Sequence, residues 1–386
     1  MSQHSIIAPS SAGIWGKPGG CTGYVSMSAA YPELEDSTAS AEGTASHEIA
    51  ETLIQCGLAM HVTDSIRTDI VGNTASNGVV FTDEMFDAAW AYADDVLRES
   101  RARKVTPFTE HRIVAPYIHA ESFGTLDAGL YDEAQHELIL WDYKYGYSVV
   151  EAFENWQGIN YLAGLLDELG ISGVTDQHTT VRIRIAQPRA FHQDGQIREW
   201  SILASELRGY FNILSNNAHI SLGPDATTHT GDHCRYCEAL HACPAALKAG
   251  LDMFEVTGVP LPVELTPQNM GLQLSIIQRA RKQLEYLESA FEEQVKSSIR
   301  SGKNVPGWSV ATRYGRKKWA KPVDEVIALG DMMGKDLRKP LEAITPTQAK
   351  SLGIDEALIS AYSEKPNTGL KLTPDNKNKA REVFSS

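Results

Sequence analysis

Asp142-Tyr143-Lys144 places a carboxylate and an ammonium two residues apart, directly after the apolar run Leu138-Ile139-Leu140-Trp141. The apolar run reads as a buried strand. Side chains alternate across a strand, so Asp142 and Lys144 share one face and Tyr143 takes the other. Such a pair suits phosphodiester hydrolysis. The carboxylate can hold a hard divalent cation, and the ammonium can orient water or offset charge developing on the phosphate. Asp127, within Gly124-Thr125-Leu126-Asp127-Ala128-Gly129, lies on a second strand-like segment. Turn residues from Asp132 to Gln135 separate the two, so a hairpin is predicted that brings Asp127 beside Asp142.

A D-x-K triplet alone is weak, because a salt-bridged surface strand also explains it. Its surroundings add to it. Gln157 and Tyr161 are four residues apart in a segment that reads as a helix, which puts them on one face. Upstream, Gly43 to Glu51 opens another helix, with Ser46 as its predicted cap and His47 in its first turn. The predicted elements are a helix over 46–59, strands near 110–118, 124–131 and 137–145, a helix over 153–169 and a strand over 180–187. That is an α/β order of αβββαβ, with a central mixed sheet flanked by helices.

Together these residues resemble the RecB-like branch of the PD-(D/E)XK nuclease superfamily. His47 matches the motif His on its first core helix, and Asp127 the Asp of its second strand. Asp142 and Lys144 match its (D/E)-x-K, and Gln157 and Tyr161 its Q-x-x-x-Y helix. No Pro precedes Asp127, so the literal "PD" is absent. The resemblance implies Mg²⁺ or Mn²⁺ held by His47, Asp127, Asp142 and the Tyr143 carbonyl. A His ligand would favour Mn²⁺ somewhat. It implies Asp127, Asp142, Lys144, Gln157 and Tyr161 as the catalytic set. Lys144 would act on the attacking water and the charged transition state, while Gln157 and Tyr161 would contact DNA or buttress the site. Glu51, four residues after His47 on the same face, is a further candidate to orient water.

Five cysteines are present, and Cys234, Cys237 and Cys243 form C-x2-C-x5-C ahead of Pro244. Three cysteines this close usually ligate a metal. No signal peptide or apolar span of membrane length precedes them, so thiols and a cytoplasmic location are expected. For a fourth ligand, Cys21 and Cys56 are open, as are His233 and His241 for zinc. Cys56 follows His47 by nine residues, half a turn away on the helical wheel, and reads as a small core residue. RecB-like nucleases of the Cas4, AddB and Dna2 type carry one Cys before the core and three after it on an iron–sulfur cluster. Cys21, Cys234, Cys237 and Cys243 match that layout, which implies [4Fe–4S], with a four-thiolate Zn²⁺ site as the alternative.

The chain of 386 residues carries a formal charge of −14, which is wrong for a protein that coats DNA. Residues 1–160 hold 8 Lys and Arg against 23 Asp and Glu, and the remainder is nearly balanced, with 27 against 26. Part of that acidic excess, including Glu33, Glu35, Asp36, Asp94 and Asp95, reads as solvated surface. Basic residues cluster later. Arg182 and Arg184 alternate on the last predicted strand. The stretch Arg313 to Lys321, with Arg316, Lys317 and Lys318, mixes cations and aromatics as a DNA-binding surface does; a solvated hairpin explains it equally well.

Thr266-Pro267 starts a long helix with apolar residues from Leu272 to Val295 at helical spacing, and a Gly/Pro/Asn-rich tail runs from Pro366 to Asn378. The expected organisation is a nuclease domain over 1–250, including the Cys21 arm and the cysteine cluster, and a mostly helical, basic region over 251–386. The whole chain also resembles the phage-type DUF2800 family, through Cys21 to Pro32, Gly43 to Glu51, the core motifs, the cysteines and Lys371-Leu372-Thr373-Pro374. These resemblances imply a metal-dependent DNA nuclease, as an exonuclease in phage recombination or replication within the bacterial host cell. DNA and a phage single-strand annealing protein are the implied partners. The alternative is a catalytically inactive nucleic-acid-binding or assembly factor on a nuclease fold.

Overall fold

The structure is a computed structural model. It describes residues 5–31, 38–59, 64–258, 266–311, 323–333, 337–338, 345–346, 349 and 355–363. Arg316, Lys317 and Lys318, the rest of the basic segment, Glu33, Glu35, Asp36 and the tail lie outside these residues. The chain divides into two compact units, Met1–Val310 and Ala311–Ser386.

The first unit opens with an arm: a 3-10 turn at Pro9–Ser11, α1 (Ala12–Trp15) and α2 (Tyr24–Ala30). Then follow α3 (Thr38–Ala59), α4 (Asp64–Ile70) and α5 (Asp83–Arg103). Strands β1 (Phe108–Val114), β2 (Phe123–Asp132) and β3 (Glu137–Tyr143) come next, then α6 (Trp156–Glu168), β4 (Thr180–Ala186), β5 (Ile197–Leu203) and α7 (Ala204–Leu222). Short turns at Asp232–Tyr236 and Leu240–Ala242 carry the cysteines, followed by α8 (Pro244–Gly258) and the 34-residue α9 (Pro267–Arg300). The second unit holds α10 (Val323–Met332) and α11 (Glu356–Tyr362). Among the described residues, no helix is long and apolar enough to cross a membrane.

The five strands lie in the order β1-β2-β3-β4-β5, antiparallel throughout except for the parallel β3–β4 pair. The β2–β3 hairpin is tight because Asp132 caps its turn, accepting the Gln135 N–H at 3.1 Å. A parallel pair needs a crossover, and α6 supplies it between β3 and β4. Both faces are covered, which is why β3 is buried along nearly its whole length. One core joins Leu138 and Leu140 to α6, α7 and the arm, through Ile159, Leu162, Phe211 and Trp15. The other joins Ile139, Trp141 and Tyr143 to α3 and α5, through Ile49, Leu53, Tyr92 and Val96.

The predicted elements form, with two corrections. The first core helix begins at Thr38 rather than at 46, so Ser46 is not its cap and His47 is not in its first turn. Ser46 is instead fully buried, and its hydroxyl pairs with Tyr143 Oη at 2.7 Å. Residues 38–45, mostly small and without an apolar stripe, continue the helix upstream of the stripe that marked its start. Asp95 is the second correction. It is 2% exposed, not solvated, and accepts hydrogen bonds from Trp141 Nε1 at 2.8 Å and Arg184 Nη1 at 3.0 Å. Arg184 also pairs with Glu99 at 2.8 Å and Glu199 at 2.6 Å, so this cation serves the fold rather than a phosphate surface. The helix α5 that carries Asp95 lies between the predicted elements. Thr82 caps it through Met85 N–H at 3.2 Å, acidic residues fill its first turn and arginines its last, and Lys104 closes it in a left-handed conformation.

Candidate metal and nuclease site

The site forms where β2 and β3 part. Their ladder ends at Ala128–Trp141, and two residues on, Tyr143 N–H donates to the Asp127 side chain at 2.6 Å. Beyond this point β3 remains held by β4, with Lys144 N–H donating to the Ala186 carbonyl at 2.8 Å. Continuing the β2–β3 register places Asp127 opposite Asp142. The β1–β2 register likewise places Glu110 opposite Asp127, so three carboxylates lie in one row across three strands.

Lys144 Nζ lies 3.0 Å from Asp142 Oδ1 and donates to Gln157 Oε1 at 3.0 Å. Gln157 therefore fixes the ammonium from α6, whose first turn is capped by Asn155 accepting the Gly158 N–H at 2.8 Å. One turn later on the same face, Tyr161 Oη donates to the Thr125 carbonyl at 2.7 Å and ties α6 to β2 two residues before Asp127. Burial pushes the Asp142 carboxyl up, the Lys144 ammonium opposes this, and Asp127 adds to the rise. The desolvation of Lys144 disfavours its charge, but Asp142 and Asp127 outweigh it and hold its proton above the ordinary lysine value.

His47 Nδ1 lies 3.6 Å from Asp127 Oδ1, and its ring leans on Tyr143 with centroids 5.0 Å apart. Tyr143 itself is buried against α5, stacked on Tyr92, so only its backbone faces the site. Among the described residues, His47, Glu110 and Asp127 present ligand atoms that all lie within 4.8 Å of one another. Asp142 Oδ2 is buried without a hydrogen-bond partner. An orphaned carboxylate oxygen beside Asp127 fits a hard divalent cation, because a cation would supply the missing contact.

Glu110 was not legible as a site residue. Its backbone sits at φ 46, unusual for a side-chain-bearing residue inside a strand. Although the residue reaches solvent, packing around its carboxyl and repulsion from Asp127 and Glu51 push it up to about 7. Glu51, bonded to Gln55 Nε2 at 2.9 Å, is thus near Glu110 rather than free to hold water alone. The cross-strand register, not any motif, brings Glu110 in.

The four cysteines named above also converge. Cys21, Cys234 and Cys243 are buried and Cys237 is half-buried. Cys21 senses Cys243, Cys234 senses Cys243 and Cys21, and Cys237 senses Cys21 and Cys234. Burial is the main cause that pushes the thiols of Cys21, Cys234 and Cys237 up, that of Cys237 to about 12, and mutual repulsion adds to it. Thiols so placed lose their protons readily only to a cation. The arm is docked by Thr22 Oγ1, which accepts the Thr227 N–H at 3.1 Å, and by Gly23 N–H, which donates to the Thr227 carbonyl at 2.9 Å. A Cβ at Gly23 would collide with Thr228 at 2.6 Å, so the close approach requires glycine. His233 bonds the His229 carbonyl at 3.0 Å, and His241 bonds that of Glu238 at 3.1 Å, so each is engaged with backbone. Cys56 sits on α3, half-buried, and is not among the groups that perturb those three thiols.

The fold and this geometry define a mixed α/β protein with a carboxylate-rich sheet end and a gathered set of thiols. The sequence model of the family described as protein of unknown function (DUF2800) matches residues 4–379, and the chain belongs to that family. No curated protein matches it.

Proposed function

We propose that this protein is a metal-dependent DNA nuclease of the RecB-like PD-(D/E)XK type, acting as an exonuclease in phage recombination or replication. The observation that carries the reading is the meeting of Asp127, Asp142, Lys144 and Gln157 at one splayed strand end, with Asp142 Oδ2 lacking a partner. His47, Asp127 and Asp142 would hold Mg²⁺ or Mn²⁺, with the Tyr143 carbonyl and Glu110, whose carboxylate lies within 4.8 Å of the His47 and Asp127 ligand atoms, as further donors. When bound there, the cation supplies Lewis-acid polarisation of the phosphate and lowers the pKa of water. Lys144, steered by Gln157, places a positive charge where the transition state gains negative charge. Tyr161 holds β2 in register, so Asp127 stays in position.

The gathered thiols support an iron–sulfur cluster on Cys21, Cys234, Cys237 and Cys243. A four-thiolate Zn²⁺ site is the alternative. Iron and sulfide against zinc, counted in protein purified without oxygen, separate the two. Either would join the arm before the sheet to the turns after it.

The test is incubation with end-labelled linear DNA and with circular DNA, single- and double-stranded, in Mn²⁺, Mg²⁺ or EDTA. The expected result is metal-dependent loss of the linear substrates with the circles spared. Circles cut as fast as linear DNA would make it an endonuclease, and no cleavage under any condition would remove the activity.

A further inference from the structure

A cleft of about 960 Å³ opens beside Lys144, at the upper end of the size range of ligand sites. One wall is the loop that follows β3, bearing Tyr145 and Tyr147. The arm lines it as well, with Ser10, Ser11, Tyr24 and Tyr31.

The loop is built rather than loose. Gln187, 1% exposed, donates from Nε2 to the carbonyls of Gly146 and Ser148, each at 2.8 Å. Its Oε1 accepts from Val150 N–H at 3.1 Å and from Arg198 Nη2 at 2.6 Å. One buried amide thus fixes the chain on both sides of Tyr147. The Arg189 guanidinium lies 4.0 Å from the Tyr145 ring centroid and 4.1 Å from that of Tyr147. Arg189 pairs with Glu84 at 2.9 Å, which holds the guanidinium against the rings. Tyr147 remains 64% exposed, so a rigid aromatic face backed by a cation is presented to solvent next to the D-x-K segment.

We propose that this cleft binds an unpaired nucleic-acid strand, with a base stacked on the Tyr147–Arg189 pair and the adjoining phosphate led to Lys144. An exposed ring held by arginine suits any base, since every base has a π-face. Serine and tyrosine hydroxyls supply neutral donors to the sugar–phosphate backbone, which lets an acidic chain grip DNA without a basic coat. A paired duplex offers no free base face to the rings. The inference rests on the nuclease reading of the neighbouring carboxylates for its direction, but its test does not need cleavage.

The experiment is fluorescence anisotropy of labelled oligo-dT and of a blunt duplex with the full chain in EDTA. Oligo-dT should bind more tightly than the duplex. Tyr147→Ala should weaken oligo-dT binding about tenfold, from the loss of one stacked base. Tyr147→Trp should restore it, and Tyr117→Ala, an exposed tyrosine outside the cleft, should leave it unchanged. Since Tyr147 is exposed, its truncation leaves the cores intact. Equal oligo-dT affinity for wild type and Tyr147→Ala would overturn the cleft even if the protein cuts DNA. Tyr147-dependent binding by a chain that never cuts would keep the cleft and reject the nuclease.

Discussion

Removing the Asp95 carboxylate should cost more than any substitution at an exposed acid, because Asp95 is where the sheet's ion network meets the site. Its Oδ2 accepts from Trp141 Nε1 at 2.8 Å and Arg184 Nη1 at 3.0 Å, and Trp141 directly precedes Asp142. In Asp95→Ala, the buried indole N–H is left without a partner, at about 1–3 kcal/mol. Arg184 keeps Glu99 and Glu199, so its loss falls at or below the low end of the roughly 3–5 kcal/mol for breaking a buried pair. Allowing for both, a loss of about 3–4 kcal/mol is expected. At about 2–3 °C per kcal/mol for a unit of this size, the melting temperature should fall by roughly 6–12 °C. Asp95→Asn keeps an acceptor for Trp141 and should lose about half as much. Circular-dichroism melts of the three proteins in EDTA measure this. A change below about 1 kcal/mol in Asp95→Ala would refute the buried network and with it the rigid seating of Asp142.

Other substitutions test separate parts. Glu110→Gln should weaken Mn²⁺ binding about tenfold by calorimetry, while unchanged affinity would remove Glu110 from the metal site. In EDTA, the Glu110 carboxyl is raised from 4.5 to about 7, so the folded state holds its proton more tightly than the unfolded. Its contribution is therefore fully present below about pH 4.5 and lost as pH rises through 7. Glu110→Gln should accordingly raise the melting temperature at pH 8 but not at pH 4.5, by a small amount because solvent screens the group. Gly164→Ala should destabilise by about 1–3 kcal/mol in a urea titration, since a Cβ there meets Ile113 and the Val114 carbonyl where α6 lies on β1. Cys21→Ser, purified without oxygen, should lose bound iron, while Cys56→Ser should keep about four irons per chain; iron retained by Cys21→Ser would remove Cys21 from the ligand set.

The local chemistry of the site was written in short-range pattern. The run 138–145 and the turn at Asp132 specify the hairpin, and i to i+4 spacing puts Gln157 and Tyr161 together, so their meeting follows from sequence. Glu110 and Asp95 were hidden for the same physical reason. Each is an acid whose place is set by pairing between distant segments, β1 on β2 for one and α5 on the sheet for the other. An isolated Asp or Glu in an acidic half reads as surface. The N-terminal extension of α3 is not legible because residues 38–45 are mostly small and lack an apolar stripe. The cysteines were legible by count, but the docking of Cys21 depends on long-range contacts of Thr22 and Gly23 with Thr227 and Thr228.

In the proposed function, Asp142 and its neighbours cut DNA. The most direct measurement is the single-turnover cleavage rate of end-labelled linear DNA in Mn²⁺ by wild type and Asp142→Ala, with EDTA as the blank. Wild type should release short labelled products, and Asp142→Ala should be slower by at least about 10²–10³-fold while melting as a folded protein. Cleavage by Asp142→Ala at the wild-type rate would contradict the assignment.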